Sequence, residues 1–515
     1  MPMSRFTRRS WWLRGLLPVH RYLGLVLSLL LLAWFASGVV MMFVSYPDLA
    51  APERRARLPA LPSGAGLLSP ATVWSRAGMD APPEAVRLST FRDRPAYHVL
   101  AAGRWHAYYA DTGTPVGRVD TDRAARAARS WADGEAPVRL TGRLTEPDQW
   151  TFGGQYAPHR PLYRYALGDA ADTRVYVSSR TGQVVQSVTA SERLWAYAGP
   201  VTHWLYPTSL RRHPELWRWL VIGLAGLGSV MVLGGLIPGL LVLRRPGDRR
   251  GTSPYRGMRA WHHWSGLLAG ALVLGWSVSG MLSLDPLGWP PGTGTRFDAE
   301  GVLAGGPLRP AAFRRSPDGA LAALGRESGP VRALSLVQVD GQPYFLAHRE
   351  TGQSALVAAD VPDPEPFRAF GREALLGPFR DRRGIPAIRD AVWLDEPDGY
   401  YYRDRRHRLG RRARSWPVLR VRFADPARTW LYLDPRRGVV ALRESAASRR
   451  DRWLYNGLHS WDFTTGMRRE GVWYPLVLLL MGGGTLLSAT GVVLTWRWLR
   501  GRKRHGGPAR ATPRA

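Results

Sequence analysis

Four apolar stretches, Leu23–Val44, Leu216–Leu243, Trp264–Leu284 and Val472–Leu494, constrain this chain more than anything else in it. Each is close to the roughly 20 residues that a helix needs to cross the hydrocarbon core of a bilayer. Backbone groups in hydrocarbon must satisfy one another, so such stretches can only be helices. Mean hydropathy over the 515 residues is nevertheless slightly polar. The chain therefore combines membrane spans with large water-soluble parts. The expected organisation is a cytoplasmic N-terminus at 1–15, spans at 16–45, 216–243, 261–284 and 472–496, a cytoplasmic loop at 244–260 and a cytoplasmic tail at 497–515. Two extracytoplasmic domains fill 46–215 and 285–471.

Charge sets that orientation. Arg5, Arg8, Arg9 and Arg14 precede the first span. Arg244, Arg245, Arg249, Arg250, Arg256 and Arg259 lie between the second and third. Arg497, Arg500, Arg502, Lys503 and Arg504 follow the fourth. Short basic segments stay in the cytoplasm, whereas long domains translocate largely regardless of charge. The expectation is a multi-pass protein of the bacterial inner membrane with both termini cytoplasmic. Thr7-Arg8-Arg9-Ser10-Trp11-Trp12-Leu13 has the look of a twin-arginine signal, but the same arginines serve as a positive-inside anchor. The first apolar run is also longer than a cleavable leader needs.

The formal net charge is +31. A nucleic-acid partner is not expected, because arginine is dispersed along the chain instead of forming one stripe, and Lys503 is the single lysine. The chain has no cysteine. That excludes disulfides, iron–sulfur clusters, thiolate zinc sites and covalently attached haem. A cofactor held by histidine is still open.

The sequence repeats itself. His20-Arg21-Tyr22-Leu23-Gly24-Leu25 aligns with His262-His263-Trp264-Ser265-Gly266-Leu267, and without a gap Ser37-Gly38 then meets Ser279-Gly280. His203 precedes Trp217 by the interval at which His459 precedes Trp473. Tyr197 and Tyr455 come before those histidines, Arg212 and Arg468 after them, and the match runs on to Gly235 and Gly491. A tandem duplication of helix, outer domain, helix follows, its axis along the membrane normal. Both outer segments alternate short β patterns with Gly turns. Examples are Trp105–Tyr109 before Asp111-Thr112-Gly113, Arg174–Val177 before Gly182, Tyr344–Ala347 before Glu350-Thr351-Gly352, and Thr429–Leu433 before Gly438. Helical patterns at Thr121–Trp131 and Pro317–Arg326 make each domain α+β.

Four of the 12 histidines are repeat-matched at membrane edges. His20 and His262 fall at the cytoplasmic ends of the first and third spans, and His203 and His459 just outside the second and fourth. A b-type haem takes axial imidazoles on opposite faces of a flat ring, and bundles supply such ligands from facing helices. His20 with His262, and His203 with His459, are the candidate iron ligands of two b-type haems. Gly38 and Gly280 follow their histidines by 18 residues, about five turns or roughly 27 Å. They lie on the histidine-bearing face near the opposite edge, where a missing side chain leaves room for a macrocycle. Gly24 and Gly266 are expected to do the same for the inner haem, and Arg212 and Arg468 to pair with propionates of the outer one. The ordinary readings are interfacial histidines, packing glycines and headgroup-binding arginines. His263 competes with His262 but faces Arg21 in the repeat. His213 is read as interfacial. His98, His106, His159, His348 and His407 show no metal spacing.

The phrases RVYVSSRTGQVVQSV and TWLYLDPRRGVVALRES resemble PepSY-type hairpins leading into a membrane helix. VHRYLGLVLSLLLLAWFASGVV and WHHWSGLLAGALVLGWSVSGML are similar to the paired helices of PepSY-associated transmembrane proteins. The resemblance implies a four-helix transmembrane bundle with two PepSY-like α+β extracytoplasmic domains, among iron-regulated inner-membrane proteins that include siderophore-iron reductases. It implies a ferric chelate or siderophore as electron acceptor. No nicotinamide or flavin motif is visible, so the donor is a quinol, a reductase or a diffusible reductant. A non-enzymatic role, as a PepSY binding or regulatory module or a transporter accessory, is the alternative. A metal-ion carrier fits less well, since the spans hold almost no polar ligands at mid-depth.

Overall fold

The computed structural model describes residues 11–91, 94–132, 136–243, 252–288, 297–325, 329–349, 353–380, 382–402 and 414–505. Arg5, Arg8, Arg9, the arginines of 244–250, the Glu350-Thr351-Gly352 turn and His407 lie outside the described residues. The chain forms two compact units, one of residues 1–46, 195–292 and 450–515, the other of residues 47–194 and 293–449.

Among the described residues the first unit holds four helices long and apolar enough to cross a bilayer: Trp11–Met41, Pro214–Leu241, Met258–Leu282 and Glu470–His505. This is a multi-pass membrane protein. Proline at the first turn starts the second span, where its missing N–H costs nothing. The fourth runs past its expected end at 496, where Arg497, Leu499 and Arg500 are good helix formers. Each span packs on the next and the fourth on the first. The first and third therefore face each other across the bundle, as do the second and fourth. Leu27, Leu31, Phe35, Met231, Val232, Val273, Val477 and Met481 fill the interior. Small residues let backbones approach there, and the ring of Phe35 occupies the space a side chain on Gly484 would take.

The second unit is α+β, with three antiparallel sheets among the described residues. Its strands are β1 Ala85–Phe91, β2 Arg94–Ala101, β3 Arg104–Tyr109, β4 Val138–Leu144, β5 Leu162–Leu167, β6 Arg174–Ser178, β7 Val184–Val188, β8 Val331–Val339, β9 Gln342–Arg349, β10 Ser354–Ala358, β11 Ile388–Leu394, β12 Val418–Phe423, β13 Trp430–Asp434 and β14 Val439–Glu444. The strand orders are β4-β5-β6-β7, β11-β12-β13-β14 and β10-β9-β8-β1-β2-β3.

The two four-stranded sheets carry the same side-chain bonds at matching places. Tyr176 Oη donates to Asp148 at 2.9 Å and Tyr432 Oη to Asp398 at 2.8 Å. Arg164 pairs with Asp148 at 3.3 Å and Arg420 with Asp398 at 3.1 Å. The amide of Thr173 donates to Asp169 at 2.8 Å, that of Thr429 to Asp425 at 2.7 Å.

Two separate outer domains were the expectation. The structure instead joins them, because the six-stranded sheet takes three strands from each segment. β1 and β8 pair at its centre, Arg87 against Ser335, Leu88 against Leu334 and Ser89 against Ala333. Both strands are buried, and as unpaired edges they would leave their N–H and C=O groups unsatisfied. The helices Pro70–Ala77 and Pro317–Gly325 cover one face of this sheet with Val73, Ala320, Leu321 and Leu324.

Candidate functional site

The four repeat-matched histidines meet in two pairs inside the membrane unit. His20 and His262 place their ring centroids 6.0 Å apart, with the planes at 39°. His203 and His459 stand 6.2 Å apart at 71°. His20 and His262 sit on spans that oppose each other across the bundle. His203 and His459 precede the other opposed pair.

Every ring is fixed through Nδ1. His20 Nδ1 donates to the Met231 carbonyl at 2.8 Å. His262 Nδ1 lies 2.9 Å from Thr490 Oγ1, which itself donates to the Leu487 carbonyl at 2.7 Å. His203 Nδ1 reaches the Trp34 carbonyl at 3.0 Å and Ser37 Oγ at 3.3 Å. His459 Nδ1 is 3.1 Å from Ser279 Oγ. A hydrogen bond at one imidazole nitrogen fixes the tautomer and presents the other nitrogen as ligand.

Each ring also rests on a glycine of a neighbouring helix. A Cβ on Gly38 would stand 3.4 Å from His203 Cε1, and one on Gly280 would stand 3.4 Å from His459 Cε1. A Cβ on Gly491 would lie 3.6 Å from His262 Cε1, and one on Gly235 would overlap the ring of His20. Gly38 and Gly280 thus flank the His203–His459 pair. Gly24 and Gly266 do not flank the inner pair. The nearest atoms to a Cβ there are Met231 Sδ at 4.0 Å and Leu487 Cδ1 at 3.7 Å. Helical side chains lean toward the N-terminus. The His20 and His262 rings therefore lean away from the following turn and cross to Gly235 and Gly491.

The segments that carry the outer histidines share a local irregularity. The π-helical turns Tyr197–Val201 and Trp453–Gly457 immediately precede them, and such turns redirect side chains at functional sites. The following backbone is pinned by the next span, since Trp217 Nε1 donates to the Trp204 carbonyl at 2.8 Å and Trp473 Nε1 to the Ser460 carbonyl at 2.7 Å.

With this arrangement in view, the comparison with known families is specific. The model of the PepSY-associated TM region matches residues 17–323, more than half of the chain. The chain belongs to the PepSY-associated transmembrane family. No curated protein matches it. Three of the four paired histidines of this PepSY-associated protein fall within the matched stretch, and His459 lies beyond it.

The structure separates His262 from His263. Both ring nitrogens of His263 are engaged, Nδ1 with Ser253 Oγ at 2.9 Å and Nε2 with the Gly239 carbonyl at 2.9 Å. His213 caps the second span and is exposed. Arg468 is ion-paired to Asp462, which also holds Arg452 at 3.3 Å. Arg212 is exposed at the end of the short helix Thr208–Arg211. Asp462 engages Arg468, one of the two arginines expected at the outer haem. The Nδ1 partners Ser37, Ser279 and Thr490 were not predicted as site residues. The repeated Ser-Gly pair was the available signal for the two serines.

Among the described residues no three His, Cys, Asp or Glu side chains converge as a metal cluster. The paired rings fit a haem by distance. With centroids 6.0 and 6.2 Å apart, His20 with His262 and His203 with His459 are the residues that would hold a haem iron between them.

Proposed function

We propose that this chain is an inner-membrane di-haem b protein that passes electrons to a periplasmic acceptor, ferric iron or a ferric siderophore, from a quinol or a reductase. The observation that carries the reading is the pair of cross-bundle imidazole clasps, 6.0 and 6.2 Å wide, each ring held through Nδ1 and seated on glycine. Haem bound there supplies one-electron chemistry.

The chain's own residues do the rest. His20 and His262 hold one iron, His203 and His459 the other. Met231, Thr490, Trp34, Ser37 and Ser279 orient the rings. The interior of Leu27, Leu31, Phe35, Val273 and Met481 excludes water between the two clasps. In this reading the matched networks descend from a tandem duplication, the termini and the loop 244–260 are cytoplasmic, and the outer clasp serves the periplasmic side.

Purified protein should show reduced-minus-oxidised b-type bands and two haems per chain. His20→Ala and His459→Ala should each lose about half of that haem. Full occupancy in both variants would overturn the ligand assignment. A featureless spectrum after expression with haem supplied would leave a PepSY envelope protein acting as a binding or regulatory module.

A further inference from the structure

The six-stranded sheet of the extramembrane unit has one uniform face and one divided face. Leu88, Tyr97, Val99, Leu334, Leu336, Phe345 and Ala347 point into a single apolar core. Strand side chains alternate, so Arg87, Ser89, His98, Ser335 and His348 point the other way. On that second face Ala96 and Ala107 join the core under β5–β7, and Val339, Leu346 and Leu356 join the core over β12–β13. The polar residues fall in the seam between these two cores. Register places Ser335, Arg87 and His98 side by side across β8, β1 and β2.

The seam is short of acceptors. The Gln183 amide donates to Ser89 Oγ at 3.1 Å and reaches His98 Nε2 at 3.2 Å, which puts the imidazole proton on Nδ1. His98 is fully buried, yet its Nδ1 has no partner, and neither do His159 Nδ1 or Arg87 Nε. Arg87 lies over Trp105, whose other contact is the stacked ring of His159 at 5.5 Å. Helix Ala51–Ala56 packs on β8 and β9 and brings Arg54 and Arg55 to the same region. Arg54 and Arg55 both act on Arg87, whose Nη2 donates to Gln183 Oε1 at 3.5 Å, and Asp48 acts on Arg54; among the described residues neither Arg55 nor Arg87 forms an ion pair with an acid. Buried charges are normally paired or hydrogen-bonded, and a half-satisfied polar network is costly. Asp48 offsets Arg54 alone; Arg87 and Arg55, with the unpartnered donors His98 Nδ1 and Arg87 Nε, call for an anion from outside.

We propose that the seam over β8, β1 and β2 binds one small oxyanion, of phosphate or carboxylate type, through Arg87, Arg55, Arg54 and His98 Nδ1. The guanidinium fork matches either group, and partial exposure of Arg55, Arg87, Trp105 and His348 gives it access. The anion lets the two apolar cores close on a shared sheet without repulsion between them. This proposal does not depend on the haem reading.

The test uses full-length protein in neutral detergent and a zwitterionic buffer, titrated with inorganic phosphate and, separately, citrate, against chloride at equal ionic strength. Saturable binding of one phosphate or citrate per chain is expected, and the tighter of the two distinguishes an inorganic from an organic source. Arg87→Gln should weaken it about tenfold or more. Arg55→Gln, on a surface helix outside the sheet, should also weaken binding without lowering the anion-free unfolding temperature, which separates loss of the site from loss of the fold. Arg389→Gln, on β11, should leave affinity as it is. The proposal is overturned if neither probe saturates, if chloride acts equally, or if Arg87→Gln and Arg55→Gln keep the affinity of the parent.

Discussion

An imidazole becomes a dependable axial ligand only when its far nitrogen is held, and here the holding groups are small. Ser279 is fully buried and Ser37 nearly so, and each reaches the Nδ1 of the histidine that rests on the glycine following it. Partners of this kind are worth about 10- to 100-fold in affinity for the metal group. Under the proposed function, Ser279→Ala is expected to loosen haem at the outer clasp by about tenfold, read as retention on dilution or by titration of haem-depleted protein. The glycines give a sharper contrast. Gly235→Leu should abolish occupancy at the inner clasp and remove about half of the b-type absorbance, while Gly24→Leu should leave it intact, because interior space cannot absorb a side chain driven into a ring. Loss of haem in Gly24→Leu alone would reverse the assignment of the cradles.

At the scale of elements, the hairpins are set by glycine. Gly438, between β13 and β14, has φ +63°, and a Cβ there would stand 2.7 Å from both Phe370 and Val339. The left-handed conformation alone costs an L-residue about 1–2 kcal/mol. Gly438→Ala should therefore destabilise the extramembrane unit by at least that much in denaturant unfolding, whereas Gly399→Ala, in open space, should stay within about 0.5 kcal/mol. The membrane helices follow a different logic. Their apolar runs were plain in the sequence, but the π-helical turns before His203 and His459 have no sequence signature, since they arise where packing overrides the regular i to i−4 ladder.

At the scale of the whole molecule, joining the two outer segments has a cost in acid. Burial, with Arg87 and Arg54 adding to it, lowers His98 to about 3, and burial with Arg55, Arg87 and Arg437 lowers His348 to about 3. In the unfolded chain both take a proton near pH 6.5. The folded state therefore refuses protons that the unfolded state accepts. The stabilisation is complete above about pH 6.5 and is lost progressively as pH falls toward 3, at about 1.4 kcal/mol per pH unit for each histidine. Unfolding of the extramembrane unit followed from pH 7 to pH 5 should show that slope, and His98→Gln should reduce it. A flat profile over this range would mean that His98 and His348 are hydrated in solution.

The spans, the α+β character of the outer segments and the four matched histidines were legible because each rests on local periodicity or on a repeat at fixed spacing. A run of 20 apolar residues can be satisfied only as a helix, whatever surrounds it. Only the tertiary structure decided which glycines face the inner rings, that Asp462 claims Arg468, that His263 is fully hydrogen-bonded, and that β1 pairs with β8 so that two segments share one sheet. Each of these depends on what a neighbouring helix or strand presents at a given height. Sequence spacing along one element carries no information about that.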